Sequence, residues 1–278
     1  MSRRVLVTGA GGYIGRHVVN ALLKRGDQVA AVCPSMETLP PGVDHIGDDF
    51  AALDLKALVP TLDSCIHLAW RDGFQHDADS HMAHLSEHYA FLTGLAAEGL
   101  SSLTALGTMH EIGYWEGAID DNTPASPRSL YGIAKNALRQ ALTTRLHNTS
   151  VNFRWLRAFY IVGDDSRSQS LFAKILKWEA EGKKTFPFTS GLNAYDFILV
   201  SDLADQIVAA DSQTLITGTI NCCSGEPVAL KDRVMSFISE HGLSLRPEYG
   251  AFPDRPYDSP GVWGDSSKIK RILSEIST

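Results

Sequence analysis

Hydrophobic residues follow two different spacings along this chain. Short continuous apolar runs predict buried strands, whereas apolar residues that recur every three to four positions predict amphipathic helices. The predicted strands are Val5–Thr8, Val29–Cys33, His45–Ile46, Ser64–Ala69, Leu103–Leu106, Val151–Val162 and Thr185–Thr189. The predicted helices are Ile14–Lys24, Leu53–Leu58, His81–Glu98, Tyr131–Leu146 and Leu171–Gly182. Strands and helices alternate through roughly the first 160 residues, which predicts an α/β fold whose parallel sheet is covered on both faces.

The regular alternation weakens after Gly163, where polar and proline-containing segments become frequent. We therefore expect residues 1–163 to form the main α/β domain. Residues 164–278 are expected to form mainly a smaller lobe, interleaved with the last elements of the sheet. A chain of 278 residues is long enough to bury a sizeable core in such a fold.

A glycine-rich turn joins the first predicted strand to the first predicted helix. Its glycines have the spacing G-x-x-G-x-x-G. Glycine suits this turn because the chain bends tightly, approaches a pyrophosphate closely and packs the helix against the strand. The N–H groups at the start of the helix then bind the anion. We therefore predict a dinucleotide site formed by Gly9, Gly12, Tyr13, Ile14 and Gly15.

The end of the second predicted strand bears on the choice of dinucleotide. An acidic residue at this place commonly binds the adenine ribose of NAD, but this chain has Cys33, followed by Pro34 and Ser35. Since no carboxylate is present to repel a 2′-phosphate, NADP is favoured over NAD, and Ser35 is a candidate contact. Asp49, after the short third strand, is either an adenine contact or a solvated loop residue.

Tyr131 and Lys135 lie four residues apart on a predicted helix, and therefore on one face of it. An ammonium beside a phenol favours the phenolate and lowers the pKa of the tyrosine. Such a tyrosine can exchange a proton with a substrate oxygen. Thr108 follows a buried strand and is expected to bind the same oxygen. The alternatives are a surface Tyr–Lys pair and a threonine that only caps a loop.

These residues and the glycine turn together resemble the extended short-chain dehydrogenase/reductase family of nucleotide-sugar epimerases, dehydratases and ketoreductases. The resemblance runs through most of the chain. It is carried by Thr8–Gly15, His67-Leu68-Ala69, Gly107-Thr108, Pro127…Tyr131…Lys135, Arg157, Asp196–Ala204 and Asn221…Gly225-Glu226. It implies a Rossmann NAD(P)-binding domain in residues 1–163, a substrate lobe for a nucleotide-linked sugar, and commonly a homodimer.

The resemblance also implies roles for individual residues. Tyr131 is implied to be the catalytic acid/base, and Lys135 to lower its pKa and hold the nicotinamide ribose. Thr108 is implied to orient the sugar oxygen. Leu68 and Ala69 are implied to contact the cofactor.

Departures from the family pattern indicate which of the family's reactions this chain catalyses. Dehydratases carry an acidic pair just after the catalytic Ser/Thr, and the segment Thr108-Met109-His110-Glu111 lacks one, which argues against 4,6-dehydration. The short chain and the missing acidic residue after the second strand favour a ketoreductase. The segments around Gly107–Gly117 and Tyr131–Gln140 also resemble reductases of nucleotide-linked 4-keto-6-deoxy sugars. We therefore predict NAD(P)H-dependent reduction of such a keto group, with the proton from Tyr131. A 4-epimerase of the same family and a non-catalytic NAD(P)-sensing regulator are the alternatives.

The candidate substrate contacts lie beside the catalytic threonine, after a buried strand, or at arginines suited to bidentate phosphate binding. They are Arg71, Thr108, Met109, His110, Arg167 and Arg255. For Arg71 a surface position is an equal alternative. His110 and Glu111 form either a pair that faces the substrate or a surface pair.

Composition narrows the partners and the compartment. The formal net charge of −7 argues against binding to a nucleic-acid backbone. The four cysteines show no metal-ligand spacing, so we expect buried thiols and no metal site. No apolar run approaches the roughly 20 residues that span a bilayer, and the N-terminal apolar stretch is too short for a secretory signal. We therefore expect a cytoplasmic protein without membrane association.

Overall fold

The computed structural model describes residues 2–163, 170–253 and 258–276. Its strands, in chain order, are β1 (Arg4–Thr8), β2 (Gln28–Val32), β3 (Asp44–Gly47), β4 (Ser64–His67), β5 (Ser102–Thr108), β6 (Gly117–Ile119), β7 (Asn152–Ala158), β8 (Tyr160–Val162), β9 (Thr185–Pro187), β10 (Ala194–Leu199), β11 (Gly218–Cys222), β12 (Pro227–Ala229), β13 (Arg246–Glu248) and β14 (Gly261–Gly264). Its α-helices are α1 (Gly15–Lys24), α2 (Leu55–Leu58), α3 (Ser80–Ala83), α4 (Leu85–Ala97), α5 (Leu130–Leu146), α6 (Leu171–Ala180), α7 (Val200–Asp211), α8 (Leu230–Glu240) and α9 (Ser267–Ile276). Short 3₁₀ helices follow some strands, among them Met109–Glu111 directly after β5.

The central sheet has seven parallel strands in the order β11-β7-β5-β4-β1-β2-β3. Buried aliphatic side chains of α1, α7 and α9 pack on one face, and those of α4 and α5 pack on the other. This confirms the predicted Rossmann-type α/β fold. The strand order reverses between β1 and β4, so a ligand crevice is expected at the carboxyl ends of these two strands.

A second sheet has the order β12-β10-β14-β6, with β8 paired to β10. It takes β6 and β8 from the first 163 residues. In return, α7, β11 and α9 from the later part of the chain belong to the central sheet and its helical cover. The two portions of the chain are therefore interleaved rather than divided at residue 163.

The predicted strand Val151–Val162 proves to be two strands in different sheets. β7 pairs with β5 in the central sheet, whereas β8, after Phe159, pairs with β10. β7 is largely buried and β8 is half-buried, and the mainly apolar, partly alternating pattern of residues 151–162 does not reveal the change of sheet. The predicted helix His81–Glu98 likewise divides at His84 into α3 and α4.

Two predictions from composition can be compared with the described residues. All four cysteines, Cys33, Cys65, Cys222 and Cys223, are free and buried, which confirms the expected buried thiols. Over residues 2–163, 170–253 and 258–276, none of the helices combines the length and the apolar character needed to cross a bilayer.

Candidate active site

The glycine turn between β1 and α1 allows the backbone to approach a ligand closely. Gly9 has a φ of +69°, and a Cβ added there would lie 2.8 Å from the backbone nitrogen of Ala69. A Cβ at Gly15 would overlap the carbonyl oxygen of Gly9. Gly9, Gly12, Tyr13, Ile14 and Gly15 all line one large cavity. The turn therefore fits the pyrophosphate of a dinucleotide, which the N-terminus of α1 would stabilise.

Helix α5 brings Tyr131 and Lys135 to the same cavity. Ser129 begins the helix, and its Oγ accepts a hydrogen bond from the N–H of Gly132 at 3.2 Å. Lys135 is only 4% exposed, so it is not a surface lysine. Its Nζ donates to the carbonyl oxygen of Leu106 at 2.7 Å and lies 3.8 Å from the centre of the Trp70 ring.

Thr108, at the end of β5, is buried beside Tyr131. Its Oγ1 accepts a hydrogen bond from the N–H of His110 at 3.3 Å. Its side chain also lowers the pKa of the Tyr131 phenol. Thr108 therefore caps the 3₁₀ helix that follows β5 and, at the same time, contacts the tyrosine.

The electrostatics of the Tyr–Lys pair differ from the expectation. Burial raises the pKa of Tyr131, and the side chain of Thr108 offsets this rise only in part. Burial also lowers the pKa of Lys135 to about 7, against the influence of Glu111, which raises it. The expected acidification of the phenol by the lysine is therefore not found: burial dominates the pKa of Tyr131, which is protonated at neutral pH.

The cavity has a volume of about 1290 Å³ and contains most of the predicted site residues. Its walls are formed by the glycine turn, by the catalytic candidates Thr108, Tyr131 and Lys135, and by residues of both sheets. The predicted residues that line it are Gly9, Gly12, Tyr13, Ile14, Gly15, Leu68, Ala69, Thr108, Met109, His110, Tyr131 and Lys135.

Three of the other predicted site residues, Ser35, Asp49 and Arg71, do not line this cavity. The side chain of Ser35 accepts from the N–H of Glu37 at 3.2 Å, so it caps a 3₁₀ helix. Asp49 caps another by accepting from the N–H of Ala51 at 3.0 Å. Arg71 is exposed, as in its surface alternative. Arg167 and Arg255 lie outside the described residues.

Two aromatic residues beside the Tyr–Lys pair were not predicted from the sequence. His76 stacks on Tyr131 with ring centres 5.2 Å apart, and its carbonyl oxygen accepts from the Tyr131 N–H at 2.8 Å. Trp70 contacts Lys135 and is fixed by its indole N–H, which donates to His81 at 3.1 Å. The signal that could have revealed them is the density of histidine and aromatic residues in residues 67–88.

The neighbours His110 and Glu111 have different environments. His110 lines the cavity and contacts the ring of His76 with centres 4.5 Å apart, and burial lowers its pKa to about 4. Glu111 is 0% exposed, and its carboxylate accepts from the indole N–H of Trp155 at 2.8 Å. Neither predicted alternative is right for Glu111, because its charge is paired inside the protein rather than presented to substrate or solvent.

Comparison with known proteins adds to this geometry. Residues 5–223 match the NAD dependent epimerase/dehydratase family. The chain is 44% identical over 271 residues to dTDP-6-deoxy-L-talose 4-dehydrogenase (NAD(+)) of Aggregatibacter actinomycetemcomitans. That alignment covers 94% of this chain and 98% of the relative.

Solved structures share the fold over almost the whole chain. UDP-N-acetylglucosamine 4-epimerase from Methanobrevibacter ruminantium M1, in complex with UDP-N-acetylmuramic acid, has a TM-score of 0.85 at 20% identity and covers 98% of this chain and 92% of its own. UDP-glucuronic acid 4-epimerase from Bacillus cereus, in complex with UDP-glucuronic acid and NAD, has a TM-score of 0.80 at 24% identity and covers 98% and 93%. At these identities the likeness shows the fold alone.

Proposed function

Because this chain belongs to the NAD dependent epimerase/dehydratase family and is an oxidoreductase of the short-chain type, we propose that it reduces the 4-keto group of a nucleotide-linked 4-keto-6-deoxy sugar. The observation that carries the proposal is the convergence of Thr108, Tyr131 and Lys135 with the glycine turn in one cavity. The dTDP-6-deoxy-L-talose 4-dehydrogenase at 44% identity supports carbon 4 as the reacting atom and a dTDP-linked 6-deoxy sugar as the substrate class.

The proposed reaction uses Tyr131 as the acid. The substrate oxygen at carbon 4 accepts hydrogen bonds from the hydroxyls of Thr108 and Tyr131, which polarise the carbonyl. Tyr131 then transfers its proton to this oxygen as the carbonyl becomes a hydroxyl. The raised pKa of Tyr131 keeps the phenol protonated at neutral pH, as the reductive direction requires.

The residues of the crevice fit a nicotinamide dinucleotide. Gly9, Gly12 and Gly15 would hold its pyrophosphate at the N-terminus of α1. Lys135 would donate to the nicotinamide ribose. When bound, the reduced cofactor supplies the hydride that adds to carbon 4 of the sugar.

We propose NADH as the reductant, although the missing carboxylate at Cys33 favours NADP on sequence alone. A 2′-phosphate calls for a cation, and residues 33–43 contain neither lysine nor arginine. Glu37, in this segment, is exposed and would repel a phosphate. The 44% identical relative carries NAD(+) in its name, which also favours NADH.

A cofactor-oxidation assay tests the proposal. NADH and NADPH are each offered with dTDP-, UDP- and GDP-linked 4-keto-6-deoxy sugars. The proposal expects NADH to be consumed with the dTDP-linked sugar in amounts equal to the 4-hydroxyl product. Interconversion of 4-epimers without net consumption of NADH would instead identify an epimerase, and cofactor binding without turnover of any sugar would identify a sensor.

We further propose that the protein is a homodimer that pairs through α4 and α5. These helices pack side by side, and Tyr89 and Ile133 expose apolar surface on them, at 36% and 39%. Light scattering is expected to give twice the mass of one chain, and a monomer mass that persists at high concentration would contradict the proposal.

A further inference from the structure

Glu111 is a fully buried carboxylate behind the catalytic residues. Its Oε1 accepts from the N–H of Thr108 and from the indole N–H of Trp155, each at 2.8 Å. Its Oε2 lies 3.3 Å from Nε of Arg139 and 3.7 Å from a terminal nitrogen of Arg157. Burying a carboxylate carries a large desolvation cost unless it is paired and hydrogen-bonded. Glu111 is both, yet the proposed reaction so far assigns it no part.

The backbone before Thr108 leaves room for this carboxylate. A Cβ at Gly107 would overlap both Oε1 of Glu111 and the indole nitrogen of Trp155. Glycine at this position therefore permits the hydrogen bonds that Glu111 makes to Thr108 and Trp155. These close contacts give a physical reason for glycine at position 107.

The partner arginine of Glu111 lies on the catalytic helix. Tyr131, Lys135 and Arg139 recur every four residues along α5, which aligns them on one stripe of the helix. The ion pair between Glu111 and Arg139 thus joins this stripe to the 3₁₀ helix that begins at Thr108. One carboxylate connects the element that carries the threonine with the helix that carries the tyrosine and the lysine.

We propose that Glu111 is a positioning residue of the reductase: it holds the Thr108 backbone by accepting from its N–H, ties that backbone to helix α5 through Arg139, and places a negative charge behind Tyr131 and Lys135. The expected effect of Glu111 on catalysis rests on the proposed function, because reduction needs a phenol that can give up a proton. The charge of Glu111 also predicts an effect on the protonation of Lys135 that is independent of any substrate.

The charges around Glu111 agree with this role. Its carboxylate raises the pKa of both Tyr131 and Lys135. Arg139 from α5 and Arg157 from β7 are the cations that face it among the described residues. Farther away, Asp120 and Asp121 act on Arg157 rather than on the catalytic pair.

The test removes one charge at a time. Glu111→Gln retains an acceptor for the Thr108 N–H but loses the negative charge, whereas Arg139→Gln removes a positive charge from the same cluster. Trp155→Phe is the matched control, since it removes a hydrogen bond to Oε1 without changing the charge.

The direct readout is the ¹³C NMR titration of the Lys135 side chain, assigned with a Lys135→Met sample. The catalytic readout is the pH at which kcat for reduction falls on the basic side.

We expect Glu111→Gln to move both the Lys135 titration and the basic limb of kcat to lower pH, by on the order of one pH unit. Arg139→Gln is expected to move them to higher pH, and Trp155→Phe to leave them in place. A purely structural role would not give opposite shifts for the two charge changes.

Unchanged titrations in both charge variants, or shifts in the same direction, would overturn the inference. Should Glu111→Gln fail to fold by circular dichroism, the upward shift in Arg139→Gln decides the question. If the wild type reduces no keto sugar, the proposed function fails, and the Lys135 titration still tests the electrostatic role of Glu111.

Discussion

At the scale of single residues, Tyr131 is held by contacts on several sides. The Thr108 side chain lowers the pKa of its phenol, His76 stacks on its ring, and Trp70 meets the ring at an interplanar angle of 73°. Thr108, His76 and Trp70 therefore surround Tyr131 at the lining of the cavity. The sequence could predict Tyr131 and Lys135 from their spacing, but not the neighbours that fold back from residues 70–76.

We expect the pH dependence of kcat/KM for NADH to follow the titration of Lys135. Burial lowers the pKa of Lys135 to about 7, so its ammonium is present below neutral pH and is lost as the pH rises through that value. We expect kcat/KM for NADH to fall over the same range, because the neutral amine binds the cofactor ribose less well. Initial rates at limiting NADH across a pH series measure this. A profile that stays flat through neutrality would contradict it.

We expect His76 and His110 to bind the sugar rather than the cofactor. Both line the cavity beside Tyr131, and burial lowers the pKa of each, so each neutral ring offers one donor and one acceptor. His76→Phe keeps an aromatic ring on Tyr131 but loses both nitrogens. We expect KM for the nucleotide sugar to rise about tenfold, the worth of one hydrogen bond, with KM for NADH unchanged.

The matched control is His84→Phe, because His84 lies outside the cavity lining and pairs with Glu87 at the start of α4. It should leave both KM values as in the wild type. If His76→Phe raises KM for NADH instead, His76 contacts the cofactor and its proposed role is wrong.

At the scale of elements, periodicity located the strands and α-helices up to residue 189 except β6, but not their partners, and it identified no element beyond residue 189. The predicted strand Val151–Val162 is mainly apolar and partly alternating, yet the chain passes from one sheet to another at Phe159. Likewise, the pattern of apolar residues does not reveal whether Ser35 caps a 3₁₀ helix or contacts the cofactor. The spacing of apolar residues reflects which positions are buried, whereas the pairing of strands depends on contacts between residues far apart in sequence.

The strand β10 shows what holds the second sheet together. Asp196 is 0% exposed, and its Oδ1 accepts from the N–H and the hydroxyl of Ser224. Its Oδ2 accepts from the N–H groups of Gly225 and Gly264. This carboxylate therefore ties β10 to the loop after β11 and to β14.

Asp196→Asn should destabilise the protein, because the amide nitrogen cannot accept from the two glycine N–H groups. An unsatisfied buried donor costs about 1–3 kcal/mol, so we expect the free energy of unfolding to fall by at least about that amount. Urea denaturation measures it. Asp202→Asn, on the exposed start of α7, is the control and should change stability little; equal effects of the two substitutions would refute the account of Asp196.

At the scale of the whole molecule, the crevice joins elements that lie far apart in sequence. The glycine turn, the end of β5 and the start of α5 come from the central sheet and its helices. Tyr160, Tyr195 and Val262 line the same cavity from the second sheet. The cofactor turn and the Tyr–Lys pair could be predicted because each is a local motif. On the substrate side, the sequence indicated Met109 and His110 beside the catalytic threonine, which line the cavity. Its other substrate candidates were isolated arginines.

The most direct test of the central claim compares the wild type with Tyr131→Phe in a single turnover, with saturating NADH and a dTDP-linked 4-keto-6-deoxy sugar. If Tyr131 supplies the proton, the rate of NADH oxidation falls about a hundred- to ten-thousand-fold, while the Kd for NADH stays close to that of the wild type. A variant that oxidises NADH at the wild-type rate would contradict the claim that Tyr131 is the acid.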